Sequence, residues 1–71
     1  MKLIEVEASF LEQTEPGRWI AYRTSKPKCV LRMQGPHLIK YLREGDRERV
    51  HGDFIACPDD WEAEDWEMSY E

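Results

Sequence analysis

The sequence predicts a small α+β domain, an antiparallel sheet carrying one or two short helices. Three observations lead there. Short runs with strand periodicity, Arg18-Trp19-Ile20-Ala21-Tyr22-Arg23 and Trp66-Glu67-Met68-Ser69-Tyr70, stand near both ends of the chain. Turn formers at Thr14-Glu15-Pro16-Gly17, Ser25-Lys26-Pro27 and Gly35-Pro36 divide the apolar stretches into short elements. The 71 residues show no repeat and no low-complexity linker, so residues 1–71 read as a single domain.

The elements follow in order. Residues 2–11 satisfy two patterns. Ile4, Val6, Ala8 and Phe10 alternate with polar residues as in a strand, while Leu3, Ile4, Ala8 and Leu11 form a helical stripe in a segment of good helix formers. Both readings stay open. Pro16 and Gly17 end the segment. Residues 18–23 form a strand, Ser25-Lys26-Pro27 breaks it, and Lys28 to Met33 pairs back as the second arm of a hairpin. Pro36 near a first turn and Gly45 after a last one predict a short helix through Leu38, Ile39, Tyr41 and Leu42, with a strand over His37 to Leu42 as the alternative. Residues 44–49 read as a charged loop, and Val50 to Cys57 as a strand weakened by Gly52. Pro58 stops that strand. Asp59-Asp60-Trp61-Glu62 has the acid-x-x-Glu pattern of a capping box and predicts a single helical turn. Trp66, Met68 and Tyr70 then share one face of a final strand.

Charge is unevenly distributed. The chain carries −5 overall, yet residues 1–52 hold all ten bases and seven acids, and residues 53–71 hold eight acids and no base. So acidic an end repels DNA, and no direct DNA binding is expected, although the basic body can meet phosphates locally. No apolar run approaches the roughly 20 residues of a membrane-spanning helix. Acids at Glu5 and Glu7 interrupt what would be the apolar centre of an export signal. A soluble cytoplasmic protein with reduced Cys29 and Cys57 is expected. His51 and Cys57 are six positions apart, and Cys29 and His37 eight, which fits no common zinc spacing. No metal and no cofactor are expected.

Catalytic signatures are sparse. No serine stands in a nucleophile-elbow context, the four glycines are isolated, and Asp59-Asp60 reads as a helix start rather than an acid–base pair. The chain is therefore expected not to be an enzyme. Aromatic and arginine residues attract more interest. Trp19 and Arg23 share one face of a strand and Tyr22 takes the other. Aromatic faces stack on bases, and an exposed strand-end guanidinium such as that of Arg23, with Arg18 beside it, suits phosphate.

The segment from Phe54 to Glu67 resembles the ending of the phage protein family called Thoeris anti-defence two. Phe54 fills that family's aromatic position, Asp60 its isolated Asp, and Ala63-Glu64-Asp65-Trp66-Glu67 its terminal signature, followed by a short strand from Met68 to Tyr70. The likeness covers about 16 residues well. Glu62 stands where the family prefers an apolar residue, and Gly17, Arg18 and Trp19 offer its front-half motif in compressed spacing. The resemblance implies a non-catalytic sponge that sequesters a cyclic nucleotide immune signal, such as a cyclic ADP-ribose-type molecule, in pockets between subunits of a small oligomer. It implies Trp19 for base stacking, Phe54 for lining the pocket and Asp65 for a ribose or base hydrogen bond. It also implies action in the cytoplasm of an infected host cell.

A rival function belongs to another class. The acids of residues 53–71 could imitate nucleic-acid phosphates in the basic groove of a protein partner, with Trp61 as anchor. A chain this short can hardly enclose a dinucleotide-sized ligand alone, so a homodimer or tetramer is expected. Trp66, in phase with Met68 and Tyr70, is expected to be buried.

Overall fold

The computed structural model describes residues 1–71, for Pro16 the backbone alone. The chain runs α1 (Leu3–Glu12), a 3₁₀ turn (Pro16–Arg18), β1 (Trp19–Arg23), β2 (Lys26–Gln34), β3 (His37–Glu44), β4 (Arg47–Asp53), α2 (Pro58–Glu62) and β5 (Trp66–Tyr70). The five strands form one antiparallel sheet in the order β4-β3-β2-β1-β5. It is the small α+β architecture the periodicities predict.

Residues 2–11 resolve to helix. Leu3, Val6 and Phe10 fall on one stripe and are almost wholly buried, whereas the strand reading would have aligned Ile4 and Ala8 with Val6, and both are exposed. The Glu5 carboxylate accepts a hydrogen bond from the backbone N–H of Lys2 (2.8 Å) and closes the first turn. The stripe docks on Ala21, Leu31 and Trp66 of the sheet. Ala21, with no exposure and no side chain beyond Cβ, lets α1 approach β1.

The segment expected to be a short helix, residues 37–42, is strand β3. Two-residue hairpin turns decide this. Gln34 pairs with His37 across Gly35-Pro36, and Glu44 pairs with Arg47 across Gly45-Asp46. Gly35 at φ +58° and Gly45 at φ +62° supply the positive φ that such turns demand. The helix-like spacing of Leu38, Ile39, Tyr41 and Leu42 arises because β3 lies between β2 and β4 and contributes apolar side chains to both faces. The same hairpin corrects two further expectations. Residues 47–49 belong to β4 rather than to a charged loop, and β4 ends at Asp53, with a register shift opposite Lys40/Tyr41 near Gly52. Residues 54–57 leave the sheet.

The α2 turn also starts earlier than the capping pattern suggests. Its N-cap is Cys57, not Asp59, and the Asp60 carboxylate accepts the Cys57 backbone N–H at 2.9 Å. Residues 54–65 cross from the β4 edge to the β5 edge over the face that α1 also covers. Among the described residues no helix covers the opposite face. There Ile20, Val30 and Tyr41 are buried beneath long side chains, and Arg32 and Arg43 bind Glu48 and Glu71 in one ionic lattice at 2.7–3.2 Å. No helix is long and apolar enough to cross a membrane among the described residues.

Candidate functional site

Where the crossover leaves β4, the sheet face is only partly roofed. A cleft of about 310 Å³ opens between β1–β4 and the turn of α2. Leu31 and Trp66 line its interior and Phe54 one wall. Trp66 is held rigidly. Its indole N–H donates to the Asp60 carbonyl at 2.9 Å, and its ring meets Phe54 edge-on at 6.1 Å. Trp66 is 4% exposed, as its phase with Met68 predicts, so it supports the cleft without offering a free face.

Charge lines the rest. Arg23, Lys26, Lys40, His51 and Asp53 approach from the sheet, and Asp59 and Asp60 from the crossover. The cations differ in state. Arg23 is committed: its Nε lies 2.9 Å from Asp65 Oδ1 and its Nη1 3.5 Å from Asp60 Oδ1. The Asp65 bond is the main reason its pKa stands above the ordinary arginine value. Ser25 and Arg23 together hold the Asp65 carboxyl far below the usual carboxylate range, with the Ser25 backbone N–H donating to Oδ2 at 3.1 Å. This pair closes the β1–β2 turn against β5. Lys26 and Lys40 make no ion pair among the described residues.

The five residues singled out from the sequence separate into two places. Arg23 and Phe54 line the cleft, and Asp65 braces Arg23 at its side. Arg23 is not the free strand-end cation expected, since its side chain is only 17% exposed and doubly paired. Trp19 and Arg18 lie at the other end of β1, four residues and about 13 Å along the strand. There Trp19 meets Tyr70 edge-on at 5.4 Å, the Arg18 guanidinium stands 5.0 Å from the Tyr70 ring, and Arg18 Nε donates to the Glu71 carbonyl. Within one chain the two groups do not converge.

The acids of residues 53–71 are dispersed as well. Asp60 and Asp65 face Arg23, Glu67 accepts from the Tyr22 hydroxyl at 3.2 Å, and Glu71 joins the lattice on the open face. The hydroxyl is pushed up by that carboxylate. Sequence reasoning missed Lys26, Lys40 and His51. A signal for Lys40 exists: it is the one charge inside the apolar run Leu38 to Leu42, and its partner across the ladder is the buried Leu31. Lys26 lies beside the β1–β2 turn, and nothing in its sequence context marks it.

Comparison with family models, with curated proteins and with solved structures gives no match to this chain.

Proposed function

We propose that this chain is a non-catalytic binding protein that sequesters a cyclic nucleotide immune signal, in the manner of the phage family its C-terminal segment resembles, acting in the host cytoplasm. The observation that carries this reading is the cleft, which Lys26 lines from the β1–β2 turn, Lys40 from the middle of the sheet and the half-buried Phe54 from the far wall, neither lysine being ion-paired among the described residues. Ammonium groups free of internal partners suit phosphate, and an aromatic wall suits a nucleobase. In this reading the Arg23–Asp65 pair positions the β1–β2 turn, and Asp65 meets the ligand only at the cleft's border.

Size supports an oligomer. Ligand pockets span roughly 300–1,000 Å³, and about 310 Å³ lies at the bottom of that range. A dinucleotide-sized signal therefore needs a second copy, in a homodimer or tetramer. Trp19 and Arg18 serve the ligand only if they reach the cleft of a neighbouring copy.

Calorimetry with a panel of cyclic dinucleotides and cyclic ADP-ribose isomers tests the proposal. Binding heat is expected for at least one of them, with the nucleotide recovered intact by mass spectrometry. Lys40→Glu should weaken that binding at least about tenfold, the effect of losing one charge-assisted contact of about 1.4 kcal/mol or more. Absence of heat for every member of the panel overturns the reading, as does turnover of the bound nucleotide.

A further inference from the structure

On the same side of the sheet as the cleft, but beyond Phe54, lies a larger groove of about 470 Å³. Leu3, Met33, Leu38 and Phe54 line it, and Leu11 of α1 and Trp61 of α2 stand at its mouth. Both mouth residues are unusually open for their type, Leu11 at 80% and Trp61 at 45%. Leu11 does not belong to the core stripe of α1. With Ile4, two helical turns earlier and 66% exposed, it forms a second apolar stripe beside the buried one. Trp61 makes no aromatic or cation–π contact among the described residues. Exposed anchors around a hollow apolar floor are the anatomy of a docking site.

The charge around the groove identifies what it takes. Glu7 and Asp53 line it, and Glu12 and Glu62 project from the same two helices. None of these four carboxylates has an ion-pair partner among the described residues. The contrast with the open face is sharp, because Glu48 and Glu71 there are each matched to two arginines. The fold sorts charge by layer. Residues 16–53, which build β1 to β4, hold nine of the ten bases, whereas residues 1–15 and 54–65, which build the helical layer, hold nine acids and Lys2 alone. An apolar groove with an unneutralised acidic rim is complementary to a basic amphipathic segment.

We propose that the α1–α2 groove binds a basic amphipathic helix of a protein partner, with Leu11 and Trp61 gripping its apolar face and Glu7, Asp53 and Glu62 meeting its lysines or arginines. The groove includes neither Lys26 nor Lys40, and it meets the cleft only at Asp53 and Phe54, which line both.

The test uses the full chain and an 18-residue peptide of leucine and lysine in helical period. Two controls accompany it, the same peptide with glutamate for lysine and a scrambled peptide of identical composition. The amphipathic basic peptide should shift the backbone amide resonances of Leu11, Leu38, Phe54 and Trp61 and leave those of Lys26 and the open-face strands in place. Leu11→Gln alters a largely exposed side chain, so its melting curve should match the parent, and Leu11→Gln and Trp61→Ala, each measured below its melting temperature, should both lower peptide affinity at least tenfold. Lys40→Glu should leave peptide affinity unchanged. Raising salt from about 50 to 500 mM should weaken binding severalfold, because rim charges are screened. Equal binding of the scrambled or acidic peptide, shifts centred elsewhere, or undiminished affinity in both variants overturns the proposal. So does no binding at millimolar peptide.

Discussion

Trp66 shows how one side chain can join three parts of the molecule. It begins β5, lies against the α1 stripe in the core, and donates its indole N–H to the carbonyl of Asp60 in α2. Trp66→Ala should remove about 3–5 kcal/mol, the usual cost of an aromatic truncation in a core, and thermal melting by circular dichroism should show the loss. A variant melting within a degree or two of the parent contradicts that role. Arg23 carries a different lesson. A guanidinium at a strand end looks free for a ligand in sequence, but Asp60 and Asp65 arrive from more than 35 positions away and bind it. Arg23→Glu would place a third carboxylate among two others, so it should destabilise the fold. A charge-neutral Arg23→Gln should be milder, and the order of the two melting temperatures checks this.

Hairpins dominate at the level of elements. The β2–β3 and β3–β4 connections are two residues long, and each places a glycine at positive φ. No side chain stands within 4 Å of the position a Gly35 Cβ would occupy, so only backbone strain opposes a substitution there. Gly35→Ala should cost about 1–2 kcal/mol through the left-handed conformation alone. Gly17→Ala, where φ is not positive and the space is equally open, should be close to neutral. Equal melting temperatures for the two variants would contradict this assignment. The β3 segment illustrates why local pattern misleads in the middle of a sheet. Leu38, Ile39, Tyr41 and Leu42 look helical because a strand with apolar side chains on both faces loses its alternation, and the turns on either side carry the decisive information.

For the whole molecule, the sheet is protected on one face by α1 and the 54–65 crossover and on the other by ion pairs. Arg32 and then Arg43 hold Glu48 below its ordinary value, and Arg43 and then Arg32 do the same for Glu71. Carboxylates whose folded values are depressed bind fewer protons folded than unfolded in that range. The stability they add is therefore complete above about pH 5 and falls as pH drops through their folded values. Melting temperature should be flat between about pH 6 and 8 and decline below about pH 5. Glu48→Gln should flatten part of that decline while costing about 1 kcal/mol or less at neutral pH, since the lattice is solvent-facing. A pH profile identical to the parent would remove Glu48 from the lattice's account. Native mass spectrometry addresses the assembly, with a dimer or tetramer expected and a strict monomer at micromolar concentration contradicting a shared nucleotide site.

The chain's own pattern determined the small antiparallel α+β class, β1 and β5, the helical turn after Pro58 and the burial of Trp66, because each depends on neighbours within a few residues. Tertiary structure decided the rest. Residues 3–12 became helix because the sheet offered Ala21 and Leu31 to the stripe of Leu3, Val6 and Phe10. Lys26, Lys40 and Phe54 came to line one cleft, Arg23 lost its freedom to Asp60 and Asp65, and Trp19 and Arg18 were placed at the far end of β1. Those outcomes rest on strand order and register, which join positions as far apart as Trp19 and Tyr70. Periodicity tells which face a side chain takes, and only the assembled sheet tells what it meets there.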